Sequence, residues 1–384
     1  MYTVLWCNIC SRCSPGQTSL SRLNDKIFPS YAREEFSFLD LTYRELVRKK
    51  TMSIERAIFH SIRVRYMCLS IAIILMLAGV NHVLESPKQV NNGVDELGIT
   101  GMEMMPNGNF LCYTYNGRLG NHMFQFASLT GIAALNNRTI IVGMDDYLYK
   151  VFDLKNVIVL RNRDICNSFD FIEEGLGCCK FDPELMTLRK GKNFKIGLYL
   201  QSWKYFYHVQ NTILGQYQFR ESITRTATRI VKEIRLSQQE HSITLIGIHI
   251  RIGDIANEMH NRYGLVIAPE GYLYKAMDYM KSKFPKNTFI VASDDIEWSK
   301  KVLSLRLNDS IRFLENNNMP EVDLAVLASC DHVIQTVGSY GWWAAFLAGG
   351  ISIYFPHPGR VGSIGEARYN YEDFFPPSWI PIDL

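Results

Sequence analysis

Several signatures that would settle a function class at once are missing from this 384-residue chain. Strong charge of one sign is absent: 41 Lys and Arg stand against 38 Asp and Glu, a formal net charge of +3. That balance supplies no electrostatic footprint for nucleic acid. The G-x-G-x-x-G fingerprint of dinucleotide-binding folds is lacking as well. The stretch Cys7-Asn8-Ile9-Cys10-Ser11-Arg12-Cys13 has no fourth ligand or knuckle glycine pattern. It therefore reads as reduced thiols or palmitoylation sites rather than a zinc site. No small-residue cleavage motif follows the longest apolar run, which argues against a removed signal peptide. What remains, 47% hydrophobic and 21% charged, is the composition of an ordinary globular protein. The length suits two lobes or one large α/β unit.

The apolar run is Tyr66–Leu84, with an uncharged centre from Met67 to Val80. It approaches the roughly 20 residues that a membrane span needs. Arg44, Arg48, Lys49, Lys50, Arg56, Arg63 and Arg65 precede it, whereas only Glu85 and Lys88 follow closely. That bias predicts a single-pass signal anchor with its N-terminus in the cytosol. The expected plan is a cytoplasmic tail at 1–65, with Met52 as an alternative start, an anchor at 66–84 and a stem at 85–109. Two lobes follow, an acceptor-side lobe at 110–240 and a C-terminal lobe at 241–384. Beyond the anchor lie Cys112, Cys166, Cys178, Cys179 and Cys330, a usage that suits an oxidising lumen. The nearest bridge joins Cys166 to Cys178 or Cys179, and one thiol stays free or pairs between chains. Asn137-Arg138-Thr139 and Asn308-Asp309-Ser310 are glycosylation sequons usable in that compartment.

The folded part opens with a strand at Phe110–Tyr115 and a glycine-bearing turn. A helix then runs to about Asn136, with Asn121 as its expected N-cap. Thr139–Val142 is the next strand. The aromatics from Tyr199 to Tyr207 suit an interlobe cleft or a core equally, and Ile223–Leu236 reads as an amphipathic helix. From residue 243 strands and helices alternate. Strands are expected at 243–250, 288–292, 311–314, 332–335 and 351–355, with helices from Pro269, Ile296, Pro320 and Trp342. Such alternation implies a doubly wound parallel sheet.

In such a sheet ligands sit beyond the carboxyl ends of the strands. Three strand-end loops then converge: those at Arg251 and Asp254, at Asp294-Asp295, and around Ser339. The β-branched run 243–250 ends in Arg251-Ile252-Gly253-Asp254, and a guanidinium there suits phosphate oxygens. Pairing with a nearby carboxylate is the plainer alternative. Asp254 is a candidate general base or a loop-ordering residue; His249 is expected to point to the other face from its neighbours or into the sheet, with a structural role as the plainer reading. Asp323 and Glu321 open a helix and are placed to receive guanine N–H groups or to complement its dipole. Gly338, Ser339 and Tyr340 border a helix N-terminus that can hold phosphate. Asp294-Asp295 has the look of a metal pair, with helix capping as the alternative.

Four segments carry a family resemblance. They are Gly117-Arg118-Leu119-Gly120-Asn121-His122-Met123-Phe124, His249 to Asp254, Phe289 to Trp298, and Asp323 to His332 through Gly338 to Ala345. In order and spacing these resemble the motifs of the α-1,2-fucosyltransferases, over about residues 110–355. The resemblance implies an α/β, GT-B-like two-lobed glycosyltransferase, a type II Golgi membrane enzyme with a luminal catalytic domain. It implies GDP-fucose as donor, a galactose-terminated glycan as acceptor, inversion at the fucose anomeric carbon, and no required metal or other cofactor. Arg251 takes over the pyrophosphate-binding role, with Asp254 beside it as the second catalytic candidate. The donor-binding set is then Gly117, Asn121, His249, Arg251, Asp294, Asp323, Ser339 and Tyr340. Two positions depart from the motifs: Ile252 stands where a second arginine is expected, and His122 where glutamine is. Two other classes share part of this pattern: a different GDP-fucose enzyme, such as a peptide O-fucosyltransferase, and a catalytically inactive luminal glycan-binding protein.

Overall fold

The computed structural model describes residues 109–237, 242–256, 262–315 and 318–384. The expected tail and anchor, and the stem up to residue 108, lie outside them. No helix among the described residues is long and apolar enough to cross a membrane.

The first sheet is built from β1 (Phe110–Tyr113), β2 (Thr139–Gly143), β3 (Val157–Leu160), β4 (Asp170–Glu173) and β5 (Phe194–Gly197). Its order is β3-β2-β1-β5-β4, and every pair is parallel. The helices around it are α1 (Leu119–Asn136), α2 (Tyr147–Val151) and α3 (Gln210–Gln216). The next helix, α4 (Glu221–Leu236), precedes the expected boundary at 240 yet packs on a helix of the second sheet. The reason lies in its stripe of Ile223, Ala227 and Ile234, the side that is buried.

The second sheet contains β6 (Thr244–Ile250), β7 (Asn287–Ser293), β8 (Ile311–Phe313), β9 (His332–Gln335), β10 (Ser352–Tyr354) and β11 (Ile380–Pro381). Its order, β11-β10-β9-β6-β7-β8, is parallel throughout. Helices α5 (Glu270–Lys283), α6 (Ile296–Leu303), α7 (Pro320–Ala328) and α8 (Ser339–Ala348) connect the strands. From Leu245 to Ile250 β6 is buried without interruption, as a strand covered on both faces requires. Winding runs outward from β6 to β8 on one side and from β9 to β11 on the other. The strand order therefore reverses between β6 and β9, where an open α/β sheet leaves its ligand crevice. In the first sheet the reversal falls between β1 and β5.

Helices α1 and α8 carry the core between the two sheets. Phe124 of α1 packs on Trp342 and Trp343 of α8, with ring centroids 4.5 and 5.0 Å apart. The Trp343 indole donates to the Gly120 carbonyl at 3.0 Å. Their N-terminal turns approach so closely that a Cβ on Gly120 would lie 2.7 Å from the Ser339 backbone. After β10 the chain returns to the first sheet, where Lys204 binds Asp373 at 2.6 Å and Ser202 donates to the Asp373 carbonyl.

Three local expectations change. Helix α1 starts at Leu119 with Arg118 at its N-cap, so Asn121 lies inside the first turn and its side chain is used elsewhere. Helix α8 starts at Ser339, three residues before Trp342, with Gly338 as N-cap at φ +98°. Cys166 pairs with Cys112 rather than with Cys178 or Cys179. The sheet order sets Cys112 of β1 beside the turn that carries Cys166. Cys178 and Cys179 are joined to each other, and Cys330 is the free, buried thiol among the described residues.

Candidate active site

A cavity of about 950 Å³ lies beyond the carboxyl ends of β1, β6, β7 and β9. Its first-sheet wall is Gly117 to His122 with Tyr147 and Tyr199; its second-sheet wall includes His249, Arg251, Asp254, 292–297, Asp323 and Gly338 to Tyr340. The nine residues of the donor-binding and catalytic set all border this one space; Glu321, weighed beside Asp323 for the guanine, does not, and is buried against Tyr147 instead. The turn before α1 is held by Gln125, fully buried, whose Oε1 accepts the Tyr115 and Asn116 amides at 2.8 and 3.2 Å. Gly117 follows at φ +87°, in the left-handed region that glycine enters without steric cost.

Arg251 stands at the end of β6, and its amide donates to Thr336 Oγ1 beyond β9 at 3.0 Å. Its guanidinium is gripped by Asp254, Nε to Oδ1 and Nη2 to Oδ2, each at 2.8 Å. The carboxylate pairing weighed as the plainer alternative is thus present. It uses one edge of the fork and leaves Nη1 directed at the N-terminus of α8. A Cβ on Gly338 would lie 2.5 Å from that nitrogen, so glycine there admits the guanidinium to the helix end. Burial pulls the Arg251 pKa down, but the bonds to Asp254 outweigh it and the net shift is upward. Asp254, weighed as a general base, has both oxygens bonded to Arg251, and Arg118 stands 3.8 Å away. A carboxylate so engaged orders its cation.

The neighbouring loops are fixed by side chains rather than by sheet hydrogen bonds. Asp294 accepts the Ile252 amide at 2.7 Å and the Gly253 amide at 3.1 Å, clamping the Arg251 loop to the end of β7. Asp295 caps α6 through the Trp298 amide at 3.0 Å. The acidic pair is accounted for by these tasks, and among the described residues no group of three His, Cys, Asp or Glu is placed to hold a metal ion. Asn121 Oδ1 accepts from Gln201 Nε2 at 2.9 Å and from Ser339 Oγ, linking the first turns of α1 and α8. Tyr147 donates to Glu321, a second tie between the two walls.

Burial displaces one carboxyl and two imidazoles in the cavity. Asp323 is pushed up to about 6, with Asn318 Nδ2 donating to it at 2.9 Å and holding it back. His249 falls to about 4 through burial, and its Nδ1 has no hydrogen-bond partner. His122 also falls to about 4, through burial and then Arg163. Ile252, the departure from the arginine motif, is buried among Ile250, Ile255 and Ala268 and points away from the cavity. Sequence reasoning passed over Tyr147 and Asn318, which no local pattern marks. Tyr199 lay within the aromatic cluster, whose Tyr205 and Phe206 are core while Tyr199 lines the cavity.

The family model described as glycosyl transferase family 11 matches residues 101–383. This chain belongs to glycosyl transferase family 11. Among curated relatives, galactoside alpha-(1,2)-fucosyltransferase 1 of Homo sapiens is 28% identical over 279 residues, covering 70% of this chain and 73% of that protein. Galactoside alpha-(1,2)-fucosyltransferase 2 of Rattus norvegicus is 28% identical, covering 70% and 76%. Of solved structures, a mutant of Arabidopsis thaliana FUT1 in complex with GDP aligns at TM-score 0.44 and 14% identity, covering 67% of this chain and 74% of that one.

Proposed function

We propose that this protein transfers L-fucose from GDP-fucose to the 2-hydroxyl of a terminal β-galactoside on glycans, with inversion, on a GT-B-like two-lobed fold. The reading places it in the Golgi membrane as a type II protein, anchored by residues 66–84 with the catalytic part luminal. The observation that carries the reaction is one cavity in which Arg251 meets the first turns of α1 and α8 at the switch points of two parallel sheets. The relatives named above supply the sugar and the acceptor class.

Each part of a nucleoside diphosphate sugar has a counterpart in the cavity. Asp323, once ionised, accepts the paired N–H groups of a guanine edge. The diphosphate meets helix-end amides and the Arg251 guanidinium, since backbone N–H groups and the dipole at a helix N-terminus favour anions. As the bond from fucose to GDP breaks, negative charge grows on the β-phosphate and the sugar gains oxocarbenium character. A guanidinium pre-aimed by Asp254 stabilises that charge more than it stabilises the ground state. The galactoside hydroxyl then attacks from the first-sheet side, opposite the departing GDP: its oxygen bonds to the anomeric carbon as the bond to the β-phosphate breaks, its proton passes to water, and the anomeric carbon is inverted.

The test is transfer from radiolabelled GDP-fucose to β-galactosides and, in parallel, to a folded peptide, with and without chelator. A fucosylated galactoside whose new linkage is α-1,2 by NMR is expected. Transfer to peptide alone, or GDP binding with no transfer, would sink the proposal.

A further inference from the structure

His122 borders the cavity on its first-sheet wall and is 5% exposed. Neither ring nitrogen makes a hydrogen bond of ordinary geometry, and the Gly117 backbone beside the ring only partly offsets the effect of its burial, so a buried polar group is left short of partners, at a cost. Packing does more than hydrogen bonding to fix the ring. It stacks on Tyr115 with centroids 3.9 Å apart at 21°, and Arg163 lies over the same tyrosine ring, 4.7 Å from its centroid. Arg163 is anchored in turn by Asp146 at 2.8 Å. A half-turn about Cβ–Cγ keeps the imidazole on Tyr115 while exchanging carbon for nitrogen at each edge, and that torsion is soft. The plane is therefore set, while the edge it presents is free to follow a ligand.

Burial and Arg163 keep this ring neutral at physiological pH, so it offers one donor and one acceptor. That suits a sugar hydroxyl better than a phosphate. Arg251 and Asp323, the cation and the acid assigned to GDP, stand on the second-sheet wall; the first-sheet wall gives the donor only the turn at Gly117 and Asn121, and there His122 stands with Tyr147 and Tyr199. Resting on the fucosyl-transfer reading, we propose that His122 hydrogen-bonds a hydroxyl of the acceptor galactoside and so selects which β-galactosides enter the cavity. Glutamine, the residue the motif carries there, would offer the same two functions with a different reach.

The experiment uses the full chain as wild type, His122→Phe and His122→Gln, with a panel of monodeoxy β-galactosides as acceptors. Acceptor KM, the Kd for GDP and acceptor-free hydrolysis of GDP-fucose are measured on each. His122→Phe is expected to raise the acceptor KM roughly tenfold, the order of one lost hydrogen bond, without moving the GDP Kd. It should also erase the wild-type penalty for one particular missing hydroxyl, and His122→Gln should restore part of the affinity with an altered ranking. An unchanged KM and ranking, or a shift in GDP Kd instead, overturns the assignment. Should His122→Phe fail to fold, the glutamine variant decides: a ranking identical to wild type refutes it. A wild type that neither binds GDP nor hydrolyses GDP-fucose defeats the transfer reading itself, on readouts that do not involve His122.

Discussion

Asp254 holds Arg251 by both carboxylate oxygens at 2.8 Å, leaving Nη1 beside the start of α8. The pair sets the plane of the guanidinium before any anion arrives, which is the preorganisation that transition-state charge stabilisation needs. Lysine keeps the charge but has no fork to be gripped at one edge while bonding through another. Arg251→Lys is expected to lower kcat by roughly 10²–10³-fold. Asp254→Asn should lower it less, because the amide still accepts one bond. Initial rates of GDP-fucose transfer check both, and an Asp254→Asn enzyme slower than Arg251→Lys would speak for a direct chemical role of the carboxylate.

Asp294 holds the same loop from the other side, through two backbone amides. Asparagine in its place offers one acceptor and turns an NH2 toward the second amide. Leaving a donor unsatisfied costs about 1–3 kcal/mol, so Asp294→Asn should lower the melting temperature and raise the Kd for GDP together. A drop in stability with GDP affinity intact would show that the clamp does not reach the anion site.

Much of this was legible in the chain because it is local. A parallel strand buried on both faces reads as an unbroken apolar run, so β6 and its terminal Arg251 stood out, as did Asp294 at the end of β7. The unread parts depend on which distant segments meet. Asn121 looked like a cap, but its oxygen is taken by Gln201 and Ser339, far away in sequence. Cys166 was matched to its nearest cysteines, whereas the sheet order brings it Cys112. Ile252 looked like a missing cation in the site; its side chain belongs to the core behind it. Tyr147 joins the cavity only because α2 meets Glu321 of α7.

Gly120 tests the contact between the two helix ends. A methyl group there meets the Ser339 carbonyl carbon and the Tyr340 nitrogen at 2.7 Å, backbone atoms that cannot rotate away. Gly120→Ala should push α1 from α8 and cost about 1–3 kcal/mol by overpacking, read as a lower denaturation midpoint in urea. A variant as stable as wild type would mean the helices separate freely, and the shared anion site would lose its rigidity.

Asp323 gives the cavity a pH dependence with a definite sign. Burial raises its pKa to about 6, above the unfolded value of about 3.9. The folded state therefore holds a proton that the unfolded state has released. Its contribution to stability is fully present below the unfolded value and is lost as pH rises through about 6. Binding of a guanine edge runs the other way, because the ionised carboxylate is the form that accepts two N–H donors. The Kd for GDP should fall as pH rises from 5 toward 7, while the melting temperature of the ligand-free protein declines relative to Asp323→Asn. In that variant GDP should bind more weakly, and the part of the pH dependence due to this carboxyl should vanish. Calorimetric titration at several pH values on both proteins measures it, and equal pH slopes would remove Asp323 from the nucleotide site.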